Sequence, residues 1–320
     1  NDRAGASEAN SPFQVVWMHE KERDTLLHEI EQKSLESGTA LREQVVFEGN
    51  VPPEIARDAA VNEVLTGTSK ELNAGPPRIF LGAPNAIKGP TEVVFHRQNG
   101  ANLLVVGQRE DAVDAMVLVG LRQLRARFGR RIRLILIDGR LNETAEPGFF
   151  AKAVERIGGV ECPDLHQMGE VLNSLASEMK SISEGETPDS GVSTLVFVPN
   201  LHRYKKLRYE EDYSFSLDSE AEVKPSTSLH ELICEGPGWG YHVMISLDSY
   251  NNVSRCLGRK AAGEFEMKVL FQMSASDSAS LIDSGKAADL GMNRTLFYDE
   301  TSGLTELFRP YALPPLEWFG

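Results

Sequence analysis

From RIFLGAPNAI onward the chain alternates two apolar patterns. Short, nearly continuous apolar runs, NLLVVG, RLILIDG, TLVFVP, YHVMISL, KVLFQMS and TLFYD, are separated by stretches whose apolar residues recur at helical spacing, over 110–128, 149–157 and 166–182. A strand that is apolar on both sides must be covered on both faces, and helical crossovers supply that cover. The pattern predicts an α/β domain with a mainly parallel sheet and helices on both faces.

Upstream the signal is thinner. NDRAGASEANSP reads as a loose polar tail, FQVVWM as the start of the folded part, and 19–37 as an amphipathic helix with Leu26, Leu27 and Ile30 on its apolar side. QVVFEG reads as a strand. Pro52 and Pro53 stand where the next helix is expected to begin, with EIARDAAVNEVL placing Ile55, Ala59, Val61 and Leu65 on one side. SKELNAGPP is a linker by composition. These elements predict a small accessory α/β portion over 1–76 and a main domain over 77–320. Within the main domain, KKLRYEEDYSFSLDSEAEVKPSTS is charged, poor in large apolar residues and predicted to be an exposed, mobile loop.

Composition narrows the function classes. With 41% hydrophobic and 25% charged residues over 320 positions, the chain is an ordinary globular protein, and its net charge of -14 opposes a general grip on nucleic acid. Any such contact is expected to be confined to a local basic strip. Cys162, Cys234 and Cys256 form no CxxC pair, which suits a reducing, cytoplasmic setting and argues against a metal site. No apolar run is long enough for a membrane span. The sequence starts at Asn1 without methionine and reads as part of something longer.

The stretch NLLVVGQREDAVDAM has the frame of a phosphate loop without its chemistry. A working loop reads GxxxxGK[ST] between a strand and a helix: backbone N–H groups close round the phosphates, the lysine reaches the outer ones, and the hydroxyl ligates magnesium. Here the frame runs Gly107, Gln108, Arg109, Glu110, Asp111, Ala112, Val113, Asp114. Val113 stands at the lysine position and Asp114 at the hydroxyl position. Glu110 and Asp111 add negative charge where a triphosphate would sit, and like charges about 4 Å apart repel by roughly 4 kcal/mol at an effective dielectric near 20. Taken alone, the segment reads as a buried strand followed by a helix whose acidic first turn complements its dipole.

The order of segments over residues 78–312 resembles the motor domain of the FtsK/SpoIIIE and HerA group of RecA-like translocases. RLILIDGR resembles the strand after the first helix and ends at Asp138. TLVFVPN resembles the strand that normally ends in two acidic residues, with Pro199 and Asn200 in their places. GPGWGYHVMISLDS resembles the strand leading to a polar sensor, where Leu247 and Asp248 now stand. SASDSASLIDSGKAADLG and TLFYD followed by FRPY resemble the closing helix and strands. The resemblance implies a RecA-like fold. The departures at Val113, Asp114, Pro199 and Asn200 imply a non-catalytic, motor-like module of a larger ATP-dependent translocase, acting in assembly or binding a protein partner, with no resident cofactor or metal. Under the alternative, the site binds ATP and magnesium as a DNA translocase domain completed by a neighbouring domain or subunit. A nucleotide-binding regulator using Arg109 in place of the lysine is a third possibility.

Other residues carry weaker signals. Arg122, Arg125, Arg127, Arg130, Arg131 and Arg133 form the one dense basic strip, read first as a helix end and its turn and second as a phosphate or partner contact. Lys205, Lys206 and Arg208 follow a strand at the edge where ligands of open sheets sit. His202 and His242 have no metal-ligand spacing, and His242 reads as structural. Asp277 with Ser276 and Ser278 reads as a helix N-cap group. Trp239, Tyr241, Trp318 and Phe319 read as core or contact aromatics.

Overall fold

The structure is a computed structural model that describes residues 16–37, 51–68, 75–86, 88–139, 148–209 and 223–320. The chain divides into two compact units, residues 1–49 and 50–320. In the first, α1 (Glu20–Glu36) starts at an N-cap His19, whose ring accepts the Lys21 N–H. Leu27 and Ile30 are 58% and 63% exposed, and no residue of α1 is buried. The strand expected at QVVFEG lies outside the described residues.

The second unit is built on a ten-stranded sheet in the order β2-β1-β10-β9-β8-β3-β7-β6-β4-β5. Its strands are β1 (Arg78–Pro84), β2 (Thr91–Val94), β3 (Leu103–Val106), β4 (Ile132–Leu136), β5 (Val160–Glu161), β6 (Ser193–Val198), β7 (Tyr241–Leu247), β8 (Met267–Leu270), β9 (Thr295–Asp299) and β10 (Leu304–Pro310). The block from β8 to β5 is parallel, as the continuous apolar runs predict. The flank from β2 to β9 is antiparallel, and β9 joins the block by antiparallel pairing with β8. Short connections account for the antiparallel pairs β1–β2 and β9–β10, since parallel neighbours need a long crossover.

The helices of this unit are α2 (Ala59–Thr66), α3 (Glu110–Phe128), α4 (Phe149–Ile157), α5 (Met168–Ser183), α6 (Pro225–Glu235), α7 (Tyr250–Gly263) and α8 (Ala275–Ile282). Alternate residues of each central strand face opposite layers. Leu103 and Val105 pack with Leu118 of α3 and Val154 of α4, while Leu104 and Val106 pack with Leu172 of α5, Leu232 of α6 and Val253 of α7. Both faces of the central strands are thus covered.

The structure corrects several local expectations. After Pro52 and Pro53 the chain does not enter a helix; it makes one short turn at Ile55–Arg57, and α2 starts only at Ala59. Asp58 decides this, because its carboxylate accepts the N–H groups of Ala60 and Val61 at 3.0 and 3.2 Å. Ile55, Val61 and Val64 are buried against Phe80, Val119 and Tyr311, whereas Ala59 is exposed. Both ends of the predicted loop after Tyr204 are structured, since Leu207 is buried and α6 begins at Pro225, whose ring suits a first helical turn; residues 210–222 lie outside the described residues.

Buried polar side chains fix the register between layers. Asn102, just before β3, donates to the carbonyls of Ile233 and Glu264 at 2.9 Å and accepts Val243 N–H at 2.8 Å. One amide thereby joins the ends of α6 and α7 to β7. Gln123 of α3 bonds both backbone groups of Phe80, where β1 bulges against β2. His242, fully buried under Phe95, donates its Nδ1–H to the Ala101 carbonyl at 2.9 Å. Burial pushes its pKa down to about 4.

Two outcomes follow for stability. Asn102→Ala removes the side-chain partner of two buried backbone groups and one part-buried one, and is expected to cost about 3 kcal/mol in urea unfolding, with no change in secondary structure. For His242 the folded pKa lies below the ordinary 6.5, so the unfolded chain takes up the extra proton. Its contribution is complete above pH 6.5 and is lost as the pH falls toward about 4, by about 3 kcal/mol. Unfolding midpoints of His242→Leu should accordingly decline less than those of the parent across that window.

Candidate functional site at the C-terminal edge of the parallel strands

The central strand β3 lies between β7 and β8, and the chain leaves its C-terminal end through Gly107, Gln108 and Arg109 before α3 begins at Glu110. The order of the parallel strands reverses about β3, and crevices in open sheets form at that point. A cavity of about 600 Å³ opens here, lined by Gly107, Arg109, Asp248, Tyr250, Asp277 and Arg294 among others.

Gly107 is demanded by packing. Its φ is +145°, and a Cβ at this position would lie 2.4 Å from the Cβ of Phe271. Its N–H donates to the Leu247 carbonyl at 2.9 Å, and Phe271 N–H donates to Val106. The glycine is therefore fixed by sheet geometry whether or not a phosphate binds. Beyond it, Glu110, Asp111 and Ala112 form the first turn of α3, and the Val113 N–H is bonded to the Arg109 carbonyl at 3.0 Å. In a phosphate loop the corresponding residues leave the helix so that their N–H groups converge on the anion. Val113 is only 2% exposed and packs among the apolar side chains of α3 and β3. Asp114 is half-buried and Gln108 is exposed.

The acidic first turn holds arginines. Arg109 makes a two-pronged contact with Asp111, Nε at 3.1 Å and Nη2 at 2.9 Å, and Nη2 also reaches Asn293 Oδ1 at 3.1 Å. The hydrogen bond from Arg109 lowers the Asp111 pKa, and its counterpart raises that of Arg109. Glu110 forms an ion pair with Arg203 from the segment after β6. The two carboxylates that the sequence assigns to dipole complementation thus also neutralise cations.

The second-motif position is likewise occupied by structure. Pro199 and Asn200 follow β6 and are buried; Asn200 adopts φ 55°, ψ 46°, and its N–H donates to Ser246 Oγ at 2.8 Å. The backbone N–H of Tyr204 donates to the Leu201 carbonyl at 3.0 Å, and its hydroxyl accepts the Gly139 N–H at 2.9 Å, next to buried Asp138. Asp248 accepts Asn252 Nδ2 at 2.7 Å and Ser249 Oγ at 2.9 Å, and lies 3.6 Å from His202 Nε2. Burial opposes ionisation of Asp248, but these donors outweigh it and its pKa falls; burial lowers that of His202. Leu247 is buried at the end of β7.

The structure brings Gly107, Arg109, Asp248 and Asp277 to one cavity, with Val113 turned into the core. Sequence reasoning missed Phe271, Asn293 and Arg203. Only Arg203 had a signal, four residues beyond Pro199 in the TLVFVPN segment. The cap of α8 is Ser274, whose hydroxyl accepts the Asp277 N–H, so Asp277 sits in the first turn instead of forming the cap itself. Lys205 and Lys206 are exposed in a short turn, and Arg208 donates to the His202 carbonyl at 2.6 Å.

No protein-family model and no curated protein matches the sequence. Solved structures match it by shape. Thermomonospora curvata EccC (ATPases 2 and 3), in complex with a signal sequence peptide, gives a TM-score of 0.58 at 14% identity, over 92% of this chain and 49% of that one. The pCW3 conjugation coupling protein TcpA, in a monomer form with ATPγS, gives 0.57 at 11% identity, over 92% of this chain and 85% of that one. Both are FtsK/SpoIIIE-type motors. The chain shares the RecA-like P-loop ATPase fold of these structures. The chain spans about half the length of the EccC structure, and at these identities the likeness is one of fold. Among the described residues, no helix is long and apolar enough to cross a membrane.

The fold makes Val113 a decisive position to test. Val113→Lys is expected to place an unpaired ammonium in the apolar layer and to lower unfolding stability by about 3 kcal/mol, without creating an affinity for ATP. Thermal and urea melts beside a calorimetric ATP titration check both halves. A folded variant of parental stability that binds ATP would mean that this position faces the cavity.

Proposed function

We propose that the chain is a non-catalytic, motor-like module of a larger FtsK/SpoIIIE-type ATP-dependent translocase, working in the cytoplasm in assembly or in binding a protein partner. The observation that carries this reading is the first turn of α3. It is helical where a phosphate loop would open, its Asp111 occupies Arg109, its Glu110 occupies Arg203, and Val113 lies in the core. The buried Asn200 amide offers no carboxylate for magnesium or for an attacking water. Gly107, Gln108, Arg109, Ala112, Val113 and Asp114, with Pro199 and Asn200, are on this reading a nucleotide site by position and a structural edge by chemistry.

A second reading, an ATP-binding translocase domain completed by a neighbouring domain or subunit, draws support from the cavity of about 600 Å³ beside the loop and from the matching TcpA structure with ATPγS. In steady-state assays with ATP and magnesium, the chain is expected to release phosphate no faster than a buffer control. Turnover above background that disappears in Asp248→Asn would overturn the non-catalytic reading. Heat of binding at submillimolar ATP without turnover would move the assignment to the second one.

A further inference from the structure

The basic strip divides by what each arginine touches. Arg122 donates to the Gly320 carbonyl, Arg127 donates to that of Arg78 and lies over the Phe80 ring, and Arg133 pairs with Glu161 and Glu178. Arg125 donates to the Gly158 carbonyl at 3.1 Å. These four hold the fold together. Arg130 and Arg131 remain: both are exposed, and among the described residues neither has a carboxylate partner.

Arg131 stands on the wall of a second cleft, of about 560 Å³, at the N-terminal edge of the parallel strands and so at the opposite edge from Gly107. Pro77 before β1, Phe128 at the end of α3 and Val192 before β6 give this cleft an apolar lining, and Val192 is 40% exposed. Across from Arg131, Arg97 is paired with Asp189. An apolar slot rimmed by a cation that has no carboxylate partner among the described residues suits a ligand that combines a carboxylate with an apolar side chain. Nucleic acid fits poorly, because backbone binding commonly rests on some 6–10 phosphate contacts, whereas Arg131 is the unpaired arginine among the residues that line this cleft.

We propose that this cleft docks an acidic, leucine- or phenylalanine-bearing peptide segment of a partner protein, with Arg131 taking a carboxylate and the Pro77–Phe128–Val192 slot its apolar residue. The proposal deepens the partner-binding part of the function proposed above and rests on it for the existence of a partner. The surface is at the other edge of the sheet, however, so the two fail separately. Hydrolysis of ATP by the chain would overturn the non-catalytic reading and leave this site standing.

The test uses the full chain and a short fluorescent peptide alternating glutamate with leucine, followed by anisotropy. Binding is expected with a Kd on the order of 10–100 μM. Arg131→Glu should weaken it at least about tenfold through charge reversal, and Val192→Asp by a similar factor, with melting temperatures unchanged because both residues are exposed. A peptide with lysine in place of glutamate should not bind. The proposal is overturned if the acidic peptide does not bind, if Arg131→Glu leaves its affinity intact, if the lysine peptide binds equally well, or if single-stranded DNA of matching length binds more tightly than the acidic peptide.

Discussion

The burial of β3 on both faces and both edges governs the rest of the molecule. A strand with a neighbour on each side and a helical layer above and below has no water to satisfy its polar groups, so every backbone donor and acceptor must be met by protein. Along the strand the ladders do this. At its ends they cannot, and the two ends solve the problem differently. Asn102 closes one end with a single side chain bonded in three directions. Gly107 closes the other by letting Phe271 come against the backbone while its N–H continues to β7. The polar edge and the cavity beside it begin where this closure stops.

Charge then arranges what lies beyond. The helix N-terminus at Glu110 carries a partial positive charge, and carboxylates in the first turn are favoured there by roughly 0.3–1 kcal/mol. Once present, Glu110 and Asp111 draw Arg203 and Arg109 to themselves. Such exposed pairs each contribute little to stability, about 0–1 kcal/mol. Their larger effect is on the local field, since each guanidinium that reaches this turn already faces a carboxylate.

Much of the architecture was legible in the sequence because burial on two faces leaves an unambiguous mark. NLLVVG, RLILIDG, TLVFVP and YHVMISL each fell on a strand, and α3 occupies 110–128 as its periodicity predicts. The short edge strand β2 escaped notice: four residues in the pattern of alternating burial give too weak a signal. The start of α2 was misplaced because Pro52 and Pro53 are compatible with a helix start, whereas Asp58 actually makes the capping bonds. Chemical positions could be named from the phosphate-loop frame, but their orientation could not. Nothing in a linear pattern says that Val113 faces the core, that Asn293 from a distant loop reaches Arg109, or that Phe271 dictates Gly107.

The position of β3 also has a consequence for the order in which the chain can assemble. Both of its sheet neighbours lie far downstream, β7 at Tyr241–Leu247 and β8 at Met267–Leu270, and the partners of Asn102 extend to Glu264. As the polypeptide emerges from the ribosome, residues 102–106 are made early and then wait for well over a hundred further residues before either edge is paired. Contacts of such long sequence separation form late and slowly. During that interval the most apolar strand of the sheet has two open hydrogen-bonding edges, which makes it the segment most dependent on protection by chaperones during synthesis.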